Sequence, residues 1–470
     1  MKMWLENEKK TCTASEDFKS NIEDGFRYVD KTDLLIPLLN LEHETTFFLR
    51  PRRFGKTLTL SMIRRFVEDT RDERLNAENR ELFRGLKIME AGEKYTRQMT
   101  SYPVINLTLQ SVKGGSFDVA FGMLQHIISD AYGEKSYLLN SMALNEEEKA
   151  YFRGIREQDA GNDSTLRDFL LSLKRLTEFL RKDSGKRAVV LIDEYDVPLE
   201  KADQDGYYSR MVGVIGPLLQ NVLKTNSENL QFAVVTGCLH IDYCGRNNAE
   251  INTVLTRGKN DYIGFTEEEV RKLLTDSGVG KHFDQVQKMY DGYRFGDSEI
   301  YNPWSVIKCI EDLKASADVP PLTYWGSTSG NDIIRKLAEK ANGETRGKIE
   351  QLMQGEEICF PLQDNIAYSE LYNNPDNMLN VMLFAGYLTV TAFDGETIRA
   401  RIPNREVHDI YKRQIGDWFR KSVKTFDVRT LYAALEQGDS VKAEQILTDG
   451  FMAAINDSRV KRGSSMTPKV

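Results

Sequence analysis

Residues 45–57 read TTFFLRPRRFGKT, and this stretch decides the fold. Thr45-Thr46-Phe47-Phe48-Leu49 is a short β-branched and aromatic run, the composition of a buried strand. Beyond the loop, TLTLSMIRRFVED places Leu58, Leu60, Met62, Ile63, Phe66 and Val67 at spacings that suit a helix with one buried face. Strand, glycine-bearing loop and helix follow in the order a phosphate cradle requires. Backbone N–H groups at a helix start converge on an anion, and the helix dipole favours negative charge there. Residues 50–57 match the second half of the P-loop pattern G-x-x-x-x-G-K-[ST]. Gly55 lets the backbone approach, Lys56 reaches the β and γ phosphates, and Thr57 offers a hydroxyl to Mg²⁺. The first half is missing, because Arg50 stands where the first glycine belongs. Taken alone, the segment also reads as a strand, loop and helix without a ligand. Arg52, Arg53 and Phe54 complete the loop as candidate nucleotide contacts. Guanidinium groups suit phosphate oxygens, although most of the nearby arginines, Arg64 and Arg65 included, are expected to be solvated or paired with acids.

A second signal lies at VVLIDEYD, where an apolar run, Ala188 to Ile192, ends in Asp193-Glu194. Such a strand is buried on both faces, so carboxylates at its tip sit at the sheet edge where open α/β folds bind ligands. Asp193 is the candidate to hold Mg²⁺, and Glu194 the candidate to accept a proton from the attacking water. Thr236 ends a third run, Phe232 to Thr236. It is placed to bond the attacking water or the γ-phosphate, and an ordinary threonine at a strand end fits equally well. A further strand, Tyr102 to Leu109, lies between the GKT loop and the acidic pair. Strands alternating with helices such as FDVAFGMLQHIISDAY predict a parallel α/β sheet of the P-loop NTPase kind, with helices on both faces.

From about Gly264 the pattern becomes mostly helical, with Asn302 and Pro303 marking a helix start. Near the end, a helix over Met378 to Ala385 precedes a hairpin, Tyr387 to Ala392 with Thr397 to Arg401, and a helix over Arg405 to Phe419. That order suits part of a winged-helix module, and equally a hairpin packed on the helical part. The expected division is 1–263 for the nucleotide-binding domain, 264–377 for a helical domain, 378–455 for the helix-hairpin-helix region and 456–470 for a polar tail. At 470 residues, with 40% hydrophobic and 29% charged residues, several compact cores are expected. No apolar run nears the roughly 18 residues of a membrane span, so the expected location is cytoplasmic. The five cysteines form no CxxC pair, which predicts neither a disulfide framework nor a zinc knuckle. A formal charge of -8 and the lack of a Lys/Arg cluster argue against nonspecific nucleic-acid binding by the whole surface.

With these pieces in place, the chain resembles the AAA-ATPase-like family of prokaryotic proteins, whose members often carry a C-terminal PD-(D/E)xK nuclease-like domain. The resemblance runs from Asp17 to Phe419. It rests on FRYVDKTDLL, FLRPRRFGKTLTLSM, VVLIDEYDVPL, VVTG, GFTEEEV, YDGYRFG with YNPWSV, STSGND, and FAGYLTV with RIPNREV. The family's P-loop itself has arginine at the first glycine position. The resemblance implies ATP and Mg²⁺ as ligands, with Lys56 and Thr57 on phosphate and metal and Asp193 and Glu194 as the acidic pair. The family places an arginine shortly after Thr-Gly, where this chain has Cys238-Leu239-His240. If that arginine senses the γ-phosphate, the change bears on hydrolysis and leaves binding intact. The nuclease-like domain is not expected here, since no Glu-x-Lys or Asp-x-Lys follows Pro375-Asp376.

The leading expectation is thus an ATP-binding, Mg²⁺-dependent ATPase whose nucleotide state moves the helical domain. One rival is a nucleotide-dependent scaffold or switch without useful hydrolysis. Another is a DNA-associated protein, of mobile-element or defence context, using residues 378–419. A protein partner or a homo-oligomer fits any of the three.

Overall fold

In the computed structural model, the described residues are 15–157, 163–240, 249–258, 261–316, 319–327, 343–363 and 374–422, with a few isolated positions besides. The expected polar tail lies outside them, as does most of the expected 378–455 region beyond residue 422. Five strands form one sheet: β1 (Thr45–Leu49), β2 (Val104–Thr108), β3 (Ala188–Asp193), β4 (Leu230–Gly237) and β5 (Ala249–Asn252), in the order β2-β3-β4-β1-β5. Every pairing in it is parallel. β1 and β3 are buried at every position, which explains their continuous apolar runs, since helices cover both faces. β5, with sequence AEIN, has no apolar run and at four residues is too short for its alternation to stand out, so sequence reading misses it.

The register brings the strand ends that matter to one edge. Leu49 pairs with Gly237, and Thr108 with Asp193. Past those ends, the Arg50 N–H donates to Gly237 O at 3.1 Å and the Tyr195 N–H to Thr236 O at 3.1 Å. β4 therefore lies between the P-loop strand and the acidic strand, and all three release their loops on the same side.

After Gly264, helices Glu267–Asp276, Phe283–Tyr290 and Pro303–Ala315 gather around their own apolar cluster, including Val270, Leu274, Val286, Tyr290, Val306 and Ile310. Thr266 and Glu269 form a capping box, and Asn302 caps the third helix ahead of Pro303 as its sequence predicts. A small hairpin, β6 (Tyr293–Phe295) with β7 (Ser298–Ile300), interrupts the helices. The expected terminal hairpin is present as β9 (Thr389–Phe393) and β10 (Thr397–Arg401). It belongs to a three-stranded antiparallel sheet, because β8 (Ile358–Pro361) pairs with β10. β8 is only four residues long, too short for its alternation to stand out. None of these three strands carries an aspartate, glutamate or lysine. Ile358, Phe360, Ile398 and Ala400 join the same apolar cluster as the parallel sheet, so the hairpin packs back on the body of the chain. Helix Arg405–Ser422 follows. No helix among the described residues is long and apolar enough to cross a membrane.

Candidate nucleotide site

Helix Lys56–Val67 begins at Gly55, whose φ of 96° lies in the left-handed region that glycine enters at little cost. No side chain caps this helix start. Its first N–H groups, which lack intrahelical partners, are therefore left to a ligand. Arg53 also sits at positive φ, 70°, a conformation a non-glycine residue adopts only when its surroundings hold it there.

Lys56 is buried, and its ammonium folds back on the loop. Nζ donates to Arg50 O at 3.0 Å and Pro51 O at 3.2 Å, and lies 3.8 Å from a Glu194 carboxylate oxygen. Burial works against this charge, but Cys238, Glu194, Asp193 and Asp196 hold the Lys56 pKa above its ordinary value. Burial also pushes the Cys238 thiol up to about 12, so at neutral pH the three carboxylates supply the opposing charge.

Asp193 is gripped from both sides. The Thr57 hydroxyl donates to its Oδ2 at 2.7 Å, and the Thr236 hydroxyl donates to its Oδ1. Burial raises the Asp193 pKa, and those two hydroxyl bonds work the other way. Thr236 is fully buried with its hydroxyl on Asp193, so it orients the carboxylate. Glu194 follows at a φ of 54°, a left-handed residue that ends the strand's direction and leaves its carboxylate beside Lys56.

The loop arginines divide their roles. Arg50 is buried, with Nη1 donating to Leu49 O at 3.1 Å and Asn252 O at 2.8 Å, and its guanidinium lies 5.1 Å from the Phe295 ring centre. It ties the end of β1 to the end of β5, which is a structural reason for arginine at the first glycine position. Arg52 pairs with Glu200 at 2.6 Å. Arg53 lies over Trp304 at 4.4 Å and 3.6 Å from Glu16. The Phe54 ring is buried between Tyr293 and Phe295, at 5.1 and 5.2 Å. Any contact of Phe54 with a nucleotide is thus through its backbone.

Sequence reading passes over two residues of the acidic segment itself. Asp196 Oδ2 accepts from the N–H groups of Cys238 and Leu239 at 2.8 and 3.0 Å, and the Tyr195 hydroxyl donates to Leu239 O at 2.7 Å. Together they hold the loop after β4 that leads to His240. Asp196 Oδ1 is buried, with no hydrogen-bond partner among the described residues. Burial first, and the neighbouring Glu194 second, raise the Asp196 pKa to about 6. Both residues stand in the quoted DEYD, but no spacing rule marks them.

A helix started by glycine and a buried lysine, with its threonine joined to an aspartate at the end of a nearby strand, is the arrangement of the P-loop nucleotide-binding class. Residues 13–245 match the AAA-ATPase-like family, described as predicted AAA-ATPase. A relative from Azotobacter chroococcum mcd 1, described as an uncharacterized protein in the vnfD 5' region, is 26% identical over 393 residues. That similarity takes in 82% of this chain and 65% of the relative, so this chain spans less than two thirds of the relative's length.

Proposed function

We propose that the protein binds Mg²⁺-ATP at the Lys56 loop and hydrolyses it, with Thr57 and Asp193 on the metal side and Glu194 as the base. The observation that carries this reading is the pair Thr57–Asp193. A hydroxyl and a carboxylate, both hard oxygen groups of the kind Mg²⁺ takes, meet through a 2.7 Å hydrogen bond at the phosphate end of the loop. Phosphate oxygens and water complete such a site, since Mg²⁺ rarely takes an all-protein cage. When bound, the ion would neutralise charge on the phosphates.

Lys56 is already charged, desolvated and held beside the loop, so it can exchange two carbonyls for phosphate oxygens with little reordering. Asp193 is occupied by two hydroxyl donors and Asp196 by two backbone N–H groups, whereas Glu194 stands beside the Lys56 ammonium; a base must reach a water, and Glu194 suits that better. Thr236 keeps Asp193 oriented. Tyr195 and Asp196 fix the loop bearing His240.

Binding of the triphosphate should move Lys56 off Arg50 O and Pro51 O. The loop packs on the helical part through Phe54, so nucleotide state should pass to residues beyond Gly264. A cytoplasmic ATPase of this design would use that movement on a partner. The test is phosphate release with Mg²⁺-ATP by wild type and Glu194→Gln. Wild type should turn over, and the variant should lose at least a hundredfold while still binding nucleotide. Equal turnover removes Glu194 from the role of base, and turnover in neither favours a nucleotide-dependent switch.

A further inference from the structure

The P-loop is covered from outside by the part of the chain beyond Gly264, residue after residue. Pro51 packs on Gly386, where a Cβ would come within 2.8 Å of the proline ring. Arg53 lies over Trp304, and Phe54 is enclosed by Tyr293 and Phe295. Between them, the Arg52 carbonyl accepts a hydrogen bond from Trp325 Nε1 at 3.2 Å.

Trp325 is held in place from several directions. It is buried, and its ring lies 4.9 Å from that of Tyr387. The backbone N–H groups of Tyr324 and Trp325 donate to Glu406 Oε1 at 2.7 and 2.9 Å. The other oxygen of the buried Glu406 accepts from the Ser305 hydroxyl at 2.8 Å. A Cβ on the next residue, Gly326, would come within 3.0 Å of Ile410, so the turn has little room to shift.

A trans peptide unit is rigid and planar, with its C=O and N–H on opposite sides. Fixing the Arg52 carbonyl toward Trp325 therefore turns the Arg53 N–H to the opposite side. The preceding carbonyls, Arg50 O and Pro51 O, face Lys56. The chain thus reverses its peptide orientation at Arg52, and positive φ at Arg53 sustains the reversal. We infer that Trp325 is a positioning residue of the nucleotide site: its indole N–H sets the Arg52–Arg53 peptide so that the Arg53 N–H is presented to the phosphates. This rests on the nucleotide reading above and extends it, because the phosphate cradle is then completed from outside the family-matched residues 13–245.

The test measures Mg²⁺-ADP affinity by calorimetry on the full chain, for wild type, Trp325→Phe and Trp325→His. Phenylalanine keeps a ring on Tyr387 and removes the donor, whereas histidine keeps a ring N–H and packs less well. If the N–H matters, Trp325→Phe weakens binding about three- to tenfold, the loss of one hydrogen bond, and Trp325→His binds tighter than Trp325→Phe. A role in packing alone gives the reverse order, and affinity unchanged in Trp325→Phe overturns the inference even if the histidine variant does not fold. Wild type that binds no Mg²⁺-ADP overturns the nucleotide reading itself, and the Trp325 role falls with it. Binding by wild type with equal binding by Trp325→Phe overturns only the role of Trp325.

Discussion

Restoring the missing glycine, as Arg50→Gly, should damage this protein. Arg50 Nη1 satisfies Leu49 O and Asn252 O at the ends of two neighbouring strands. Removing it leaves two carbonyls short of a donor, at about 1–2 kcal/mol each for groups this enclosed. Loss of the guanidinium from Phe295 adds about 1 kcal/mol, and the freedom of a glycine in the unfolded chain about 0.5–1 kcal/mol. Against this stands relief from burying a charge. Burial drags the Arg50 pKa down to about 9, a desolvation cost of a few kcal/mol. That relief is worth up to ~5 kcal/mol and offsets most of the loss, so the net loss should be small, about 1 kcal/mol, and thermal unfolding of the nucleotide-free protein should fall by a degree or two. Arg50→Met, which restores bulk but no donor, should recover only part of it. The assay is circular-dichroism melting of the three proteins. An Arg50→Gly protein as stable as wild type that also binds nucleotide more tightly would refute the reasoning. Arg50 would then be a substitute for glycine, not a tie between β1 and β5.

Two further outcomes follow from the acidic segment. The folded Asp196 pKa is raised to about 6, so the folded state binds that proton more tightly than the unfolded chain. Its contribution is full below about pH 4, declines as pH rises, and is gone above about pH 6, a change of up to ~3 kcal/mol. Asp196→Asn should remove that decline from the difference between urea-unfolding midpoints measured at pH 4 and pH 7. Parallel profiles for the two proteins would show that Asp196 titrates normally. Gly237→Ala would place a Cβ 2.7 Å from the Tyr195 ring and 2.8 Å from Asp196 Oδ1, and should cost about 1–3 kcal/mol in the same unfolding assay. Gly122→Ala, in helix Phe117–Glu134 with nothing near the added methyl, is the control and should be neutral or slightly stabilising. Equal effects of the two alanines would count against the packing described.

Much of the sheet is legible in the sequence because its strands are buried on both faces. β1 falls on Thr45–Leu49 as the apolar run predicts, and β3 ends at Asp193, where the carboxylates begin. The same reasoning fails for β5 and β8, which are four residues long and become strands only by tertiary pairing. At the site, Lys56, Thr57, Asp193 and Thr236 announce themselves through a motif or a strand end, and the structure brings them together. Phe54 and Arg50 lie in the same loop, yet their partners, Tyr293, Phe295 and Asn252, are about 200 residues or more away in the chain. Trp325 and Glu406 carry no signal of their own, since a tryptophan near Gly-Ser reads as core until Arg52 O is found beside it.

The most direct test of the central claim is calorimetric titration of Mg²⁺-ATP into wild type and Lys56→Ala. Wild type should bind with one saturable site per chain, and Lys56→Ala should lose detectable binding while its melting without nucleotide stays within a few degrees of wild type. Absence of binding in wild type, or undiminished binding in a folded Lys56→Ala protein, would contradict the account.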